Sequence, residues 1–96
     1  MYANLVMFTL GPGKRSTAEK LFERFATAAK ARKGFKTLTV LADDTVGEYG
    51  VLVVFESKED ADATFEAIFP QLQEALTGIG QGQPTRRLFE VLEPKT

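Results

Sequence analysis

The chain has 96 residues, of which 44% are hydrophobic and 26% are charged, so a single globular domain over residues 1–96 is expected rather than a disordered segment. Twelve basic and thirteen acidic residues give a net charge of -1, which supplies no general attraction to nucleic acid or to an anionic membrane. The absence of cysteine and histidine excludes disulfides, thiolate catalysis and imidazole bases, and it removes the commonest transition-metal ligands.

The first half of the chain predicts a strand followed by a helix. Residues 2–10 are apolar and rich in β-formers, and the turn sequence GPGK follows them. This apolar run is too short to span a bilayer and has no basic residue before it, so neither a signal peptide nor a transmembrane helix is expected, and the expected location is the cytoplasm. The sequence STAE at 16–19 has the pattern of a capping box, and an apolar stripe predicts a helix over 16–33 that stops at Gly34.

The second half predicts a hairpin, a second helix and a last strand. The segment FKTLTVLAD alternates threonine with apolar residues, which is typical of a strand with one polar side, and DDTVG turns the chain back. The next stretch, YGVLVVFES, is apolar on both faces of a strand. Ser57 is a candidate cap for the second helix, and Pro70 predicts a break or a kink in it. Residues 85–92 read as the last strand.

The predicted order is βαββαβ, which indicates an α+β fold of the ferredoxin-like type, with a four-stranded antiparallel sheet and both helices on one face. The first and third strands are the most apolar and should be central, with the second and fourth at the edges. The helices cover one face only, so the apolar residues of the other face predict a homodimer formed by two sheets packed together.

Several segments of this chain resemble the antibiotic biosynthesis monooxygenase type of the dimeric α/β-barrel superfamily. They are PGK before the first helix, KGFKTLTVL, YGVLVVFESKEDADA and FEVLEP. The resemblance implies sheet-to-sheet dimers with a pocket between the helices and the sheet of each subunit. It also implies a cofactor-independent monooxygenase that acts on a small aromatic or quinol-type substrate, with a noncatalytic binder of small apolar ligands, or a structural homodimer, as the alternative.

The same resemblance speaks against haem degradation. Haem-degrading relatives use an asparagine on the first strand, a tryptophan and a histidine. Asn4 matches the first of these, but the chain has no tryptophan and no histidine, so no cofactor is expected. Asp43, Asp44 and Glu48 crowd one hairpin, but their spacing fits no metal-binding loop, so no metal site is expected either.

The candidate catalytic residues are Asn4, Tyr49 and Arg86. Asn4 is predicted to polarise a substrate carbonyl or to stabilise an anion, and its alternative role is a strand amide bonded to backbone. Tyr49 is predicted to orient a phenolic substrate, or else to pack with its hydroxyl in water. Arg86 and its neighbour Arg87 point to opposite faces of the sheet, so at most one of them can reach a given pocket and stabilise an anion there; the alternative role is an edge-strand charge that discourages aggregation. The predicted substrate-binding residues, which also fit a plain helix core, are Phe22, Phe25, Phe65 and Phe69.

An RNA-recognition module has the same βαββαβ order, carries its ligand on the open face of the sheet, and is the main alternative for the function. EYGVLVVF mimics its third-strand motif, but Gly47 stands at the leading basic position, and Val51 and Val54 stand where stacking aromatics are needed. No nucleic-acid partner is therefore expected.

Overall fold

The computed structural model describes residues 1–92 and contains four strands and two helices in the predicted order within that range. The elements are β1 (Tyr2–Thr9), α1 (Arg15–Lys30), β2 (Phe35–Asp43), β3 (Glu48–Phe55), α2 (Lys58–Leu76) and β4 (Thr85–Glu90). No helix in this part of the chain is both long and apolar enough to cross a membrane.

The strands form one antiparallel sheet in the order β2-β3-β1-β4. The prediction that the two most apolar strands are central is confirmed, as is the α+β ferredoxin-like fold. Pairing of β1 with both β3 and β4 brings the N-terminal strand next to the C-terminal one, with Asn4 opposite Val53 on one side and opposite Leu88 on the other. Directly paired residues of antiparallel strands point to the same face, so this register fixes which side chains share a face.

Both helices pack on one face of the sheet. Phe8 and Tyr49 of the sheet are buried against Phe22 of α1 and Leu72 of α2. A second cluster buries Phe55 with alanines from each helix. The alternation of β3 is therefore as predicted, because Tyr49, Val51, Val53 and Phe55 all belong to this face.

The opposite face of the sheet, called the open face here, has no helix over it in the described part of the chain. By register it carries the side chains of Leu5, Met7, Leu41, Leu52, Val54 and Phe89. Leu41 and Phe89 are exposed, and the other four are partly exposed. Thr37 and Thr39 lie at the border of the open face, on the polar side of the edge strand β2, because they pair with Val54 and Leu52.

The capping box predicted at Ser16 is wrong. Helix α1 begins at Arg15, directly after the GPGK turn, and the Lys14 carbonyl accepts the first helical hydrogen bond from the Ala18 amide at 3.0 Å. Ser16 is consequently already inside the helix, where its hydroxyl is not placed to cap the first turn. Glu19 instead accepts a hydrogen bond from Arg15 at 3.1 Å.

The predicted ends of α1 and β4 and the predicted effect of Pro70 also need comment. Helix α1 ends at Lys30 rather than 33, and Gly34 lies in a later turn with a φ of 80°. Strand β4 ends at Glu90 rather than at Leu92. Helix α2 runs through Pro70 without a break, because the apolar face on both sides of Pro70 packs on the sheet and outweighs the missing backbone hydrogen bond, whereas the alternative of a kink stays a prediction. The cap predicted at Ser57 is confirmed, since its Oγ accepts from the Asp60 amide at 3.1 Å.

Candidate functional site

A cavity of about 70 Å³ lies between the helices and the sheet and is partly open to solvent. Strands β1, β2 and β3 form its floor, and α1 and α2 form its walls. The lining residues are Asn4, Val6, Phe25, Ala26, Ala29, Leu38, Val51, Val53, Phe55, Thr64, Phe65, Ile68, Phe69 and Leu72. All of these except Asn4 and Thr64 are apolar, so the cavity is a dry environment with two polar side chains in its wall.

Three of the four phenylalanines that the sequence singled out line this cavity. Phe65 and Phe69 are one turn apart on α2, with ring centroids 4.4 Å from each other, and Phe25 faces the cavity from α1. All three are partly exposed, as expected for side chains beside an opening. Phe22 does not line the cavity, because it is buried against Phe8 with a centroid distance of 5.6 Å.

Asn4 is buried at the centre of the helix-facing side of β1, with 3% of its surface exposed. Its Nδ2 donates to the backbone oxygen of Ala61 in α2 at 2.8 Å, and its Oδ1 accepts from Nε of Arg86 at 2.8 Å. The Asn4 amide thus links the sheet to α2. Its nitrogen is fixed by a carbonyl acceptor, and its oxygen is fixed by a cationic donor. The backbone bond that the sequence allowed as the alternative role is present, and it coexists with a position in the cavity wall.

Arg86 reaches Asn4 from the neighbouring strand β4 because the two residues are close on the same face of the sheet. Its Nη2 donates to Oδ1 of Asp62 at 2.7 Å, and its guanidinium lies 4.6 Å from the ring centroid of Phe65. Asp62 also accepts from Lys58 at 2.8 Å. Asn4 is therefore at the inner end of a chain of charged and polar groups that leads to the surface.

The charged side chains between Asn4 and the surface stabilise one another. The hydrogen bond from Arg86 lowers the pKa of the Asp62 carboxyl, and the hydrogen bond from Lys58 lowers it further. The same contact raises the pKa of the Lys58 ammonium. The planar guanidinium suits this position because it donates in two directions at once, to an amide and to a carboxylate.

Arg87 lies on the open face, away from the cavity. Its register partner is Leu5, and its guanidinium lies over the ring of Phe89 at 4.7 Å. The expectation that the two arginines point to opposite faces is confirmed, and Arg86 is the one on the side of the helices.

Tyr49 is on the helix-facing side, but it does not line the cavity. Its ring lies 6.4 Å from that of Phe8, and its hydroxyl donates to Oδ1 of Asp44 at 3.1 Å. Burial raises the pKa of the Tyr49 phenol, and the hydrogen bond to Asp44 raises it further. Tyr49 is thus a neutral phenol tied to the β2–β3 hairpin, apart from Asn4 and Arg86.

Thr64 is the polar wall residue that sequence reasoning missed. It is 5% exposed, and its Oγ1 has no hydrogen-bond partner within residues 1–92. A single threonine within an amphipathic helix carries no distinctive sequence signal. Its spacing from Ala61 and Phe65, which predicts a place on the buried side of α2, was the one available indication.

Comparison with known proteins finds similarity at the level of the fold. Neither models of protein families nor curated protein sequences match this chain. Among solved structures, the chain is similar to SnoaB of Streptomyces nogalater, a cofactor-independent oxygenase, with 19% identity and a TM-score of 0.76 over 97% of this chain and 94% of SnoaB.

Two further structures are similar to nearly the whole chain. The monooxygenase of the gene ActVA-Orf6 of Streptomyces coelicolor, solved with nanaomycin D, has 20% identity and a TM-score of 0.73 over 98% of this chain and 92% of its own. An MhuD variant solved with manganese protoporphyrin IX has 22% identity and a TM-score of 0.71 over 100% of this chain and 99% of its own. The chain therefore has the fold of the antibiotic biosynthesis monooxygenase-like proteins, in agreement with the resemblance read from its sequence.

Proposed function

We propose that this protein is a cofactor-independent monooxygenase that acts on a small aromatic or quinol-type substrate in the cavity between helices and sheet. The observation that carries the proposal is the buried amide of Asn4, which lies in an otherwise apolar wall and is fixed by Arg86. The fold is shared with SnoaB and ActVA-Orf6, whose descriptions as an oxygenase and a monooxygenase support the reaction class.

The reaction needs little from the protein beyond a suitable environment. A phenol or quinol with a free ring carbon ortho or para to a hydroxyl group reacts with O₂ to give a quinone and water: one oxygen atom becomes bonded to that carbon, and the other leaves as water with two hydrogen atoms of the substrate. The electrons come from the substrate. Asn4 stabilises the phenolate oxygen by donating a hydrogen bond without changing its own charge, and the apolar walls strengthen that interaction by excluding water.

Substrate ionisation comes from the substrate itself, because the residues that line the cavity include no titratable side chain. A phenol or quinol that is acidic enough to enter as its anion, or to lose its proton to water at the opening, meets this condition. The pH dependence of the rate should accordingly follow the pKa of the substrate when the substrate is changed.

The size of the cavity limits how a substrate fits. The cavity volume of about 70 Å³ accommodates a few water molecules, whereas an aromatic ring needs more room. A bound substrate therefore also occupies the open side, where the partly exposed rings of Phe25, Phe65 and Phe69 supply stacking surfaces.

The lack of a titratable wall residue also favours a second candidate function, a noncatalytic binder of small apolar ligands. Such a binder needs the apolar walls and a polar anchor, and it has no need of a base. Oxygen consumption separates the two candidates.

The test of the proposed function is oxygen uptake with a panel of quinols and polyphenols, followed by mass spectrometry of the product formed under ¹⁸O₂. We expect one labelled oxygen atom in each product molecule. Asn4→Ala should lower the rate by about a hundredfold, since it removes a donor to the developing anion. Arg86→Lys should give a smaller loss, and Arg87→Lys, the matched change on the open face, should leave the rate unchanged.

Two results would count against this function. An active parent with an unchanged rate in Asn4→Ala removes Asn4 from the mechanism. A parent that consumes no oxygen with any compound, but copurifies with an aromatic molecule detected by mass spectrometry, identifies the protein as a binder. Melting curves of all variants show whether a lost rate reflects lost folding.

We also propose that the protein is a homodimer formed through the open face. Leu5, Met7, Leu52 and Val54 form a partly exposed apolar surface at the centre of this face, and monomers rarely leave large contiguous apolar surfaces in water. A second copy offers the same surface, as a twofold symmetric interface requires. The sheet-to-sheet arrangement leaves the helices and the cavity on the outer side of each subunit.

A further inference from the structure

The hydroxyl of Thr64 stands out among the polar groups of this protein because it is buried without a partner. Its Oγ1 is inaccessible to solvent and makes no hydrogen bond with any atom of residues 1–92. A threonine hydroxyl in a helix can bond to the carbonyl one turn earlier, as Thr27 of α1 does to Glu23 at 2.9 Å and Thr77, just after α2, does to Gln73 at 3.1 Å. An unpaired buried hydroxyl is unfavourable, so a ligand group in the cavity that pairs with it, once a small shift of the Thr64 side chain exposes the oxygen, gains an interaction that the empty protein lacks.

Thr64 lies one helical turn after the residue of α2 that Asn4 contacts. Asn4 donates to the carbonyl of Ala61, and Thr64 follows Ala61 by three residues, which places both on the same side of the helix. Side chains of a helix lean toward its N-terminus, so the side chain of Thr64 leans toward the turn that Asn4 holds. Both side chains line the same cavity.

The amide of Asn4 is fixed so that it offers a donor rather than an acceptor. Its Oδ1 is engaged by the cationic Arg86, while Nδ2 donates one hydrogen to Ala61 and carries a second hydrogen. A threonine hydroxyl also donates a hydrogen. Two donors in an apolar wall match one acceptor oxygen, and this match strengthens when that oxygen carries negative charge.

We infer that Asn4 Nδ2 and Thr64 Oγ1 together bind one acceptor oxygen, a carbonyl or a phenolate, of a flat apolar ligand. Thr64 is thereby a specificity-determining residue, which selects oxygenated aromatic compounds over hydrocarbons of the same shape. This inference rests on the proposed function in that both use the same cavity, but it concerns binding rather than oxidation.

The test compares 1-indanone with indane, which have the same bicyclic frame and differ by one carbonyl oxygen. Calorimetry gives the dissociation constants of both compounds for the parent and for Thr64→Val, which keeps the shape of the side chain and removes the hydroxyl. We expect the preference for 1-indanone to fall by about fivefold, which corresponds to the loss of one hydrogen bond. The melting temperature should not fall, because the change removes an unpaired polar group from an apolar wall.

Two further variants make the test specific. Thr64→Ser keeps the hydroxyl and should retain the preference. Thr27→Val removes a helical threonine hydroxyl outside the cavity and should leave both dissociation constants unchanged.

The inference is overturned if Thr64→Val leaves the preference unchanged, and also if the parent binds neither compound, in which case the cavity loses its role in the proposed function as well. If Thr64→Val lowers the preference for 1-indanone but the parent consumes no oxygen with any quinol, the binding inference is supported and the proposed oxidation is rejected. The two failures are therefore distinguishable.

Discussion

Asp62 shows how a single side chain outside the cavity supports its geometry. It is 30% exposed, yet it accepts hydrogen bonds from both Arg86 and Lys58, and Arg86 in turn holds Asn4. Loss of the Asp62 charge leaves Arg86 with fewer constraints on its guanidinium. The positional accuracy of the Asn4 amide consequently depends on a carboxylate that is not itself part of the cavity wall.

We predict that Asp62→Asn lowers stability at neutral pH and that this difference disappears in acid. The pKa of the Asp62 carboxyl is lowered in the folded protein, so the stability it contributes is present above its unfolded pKa and is lost as the pH falls through the lower folded value. Urea unfolding at pH 7, 5 and 3 measures this, with Glu66→Gln as a control for removing an exposed carboxylate from α2. An equal difference between parent and Asp62→Asn at all three values contradicts the prediction.

At the scale of elements, two turns fix how β1 and β3 meet at one end of the sheet. The amide of Leu10 donates to the Gly47 carbonyl at 2.8 Å, and the Gly47 amide donates to Asp43 at 2.9 Å. Gly47 has a φ of 73°, and an added Cβ would lie 2.0 Å from the backbone of Gly11. Glycine is required here for its conformation and for the space that it leaves.

We predict that Gly47→Ala destabilises the protein by more than 2 kcal/mol, on the order expected when backbone strain is combined with a steric clash. Gly13→Ala is the matched control, because Gly13 has a φ of 78° but nothing within 4 Å of an added Cβ. The stability lost in Gly13→Ala measures the strain of an alanine in the left-handed backbone conformation alone, about 1 kcal/mol. Urea unfolding curves of both variants provide the comparison, and equal losses would show that the contact with Gly11 costs nothing.

The elements were predictable where periodicity and tertiary packing agree. The two-sided apolar pattern of β3 predicts a central strand, and the cap at Ser57 is confirmed because the chain turns into α2 at that residue. Ser16 carries an equally good local pattern, but the preceding glycine turn starts α1 before it. Pro70 lacks a helical donor, yet packing of α2 on the sheet keeps the helix continuous.

The candidate site was predictable only in part, because some of its contacts form only in the assembled fold. Asn4 stands out as an amide in an apolar strand, so burial and a polar partner follow from its pattern. Tyr49 stands out equally, but the register directs its hydroxyl to Asp44, which sequence spacing alone does not reveal. The spacing of Thr64 indicates only a place on the buried side of α2, because its unpaired hydroxyl is a property of the assembled cavity.

At the scale of the whole molecule, the two faces of β3 have different roles. Val51 lies in the cavity floor on the side of the helices, whereas Val54 lies on the open face, paired with Ala3 of β1. The same chemical change at these two positions therefore probes the core and the proposed dimer interface separately.

We predict that Val54→Lys gives a folded monomer and that Val51→Lys prevents stable folding. An unpaired ammonium in either apolar contact costs several kcal/mol, but the helix-packed core exists within one chain while the open face is buried only by a second copy. Light scattering across micromolar concentrations measures the mass, and circular dichroism measures folding. Thr39→Lys, at the exposed border of the open face, should remain a dimer.

The dimer prediction fails if the parent scatters as a monomer throughout that range. It also fails if Val54→Lys keeps the mass of a dimer, since a buried sheet interface does not tolerate an unpaired charge at that position. If both lysine variants remain folded dimers, the assignment of faces along β3 is wrong.

The residues that line the cavity lie on the side of the sheet that faces away from the open face. Each subunit of the proposed dimer therefore contains a complete cavity, separated from the other by two layers of β-sheet. Ligand titration should then give a stoichiometry of one per chain with a Hill coefficient of one, and a heterodimer with a single Asn4→Ala subunit should retain half of the turnover of the parent.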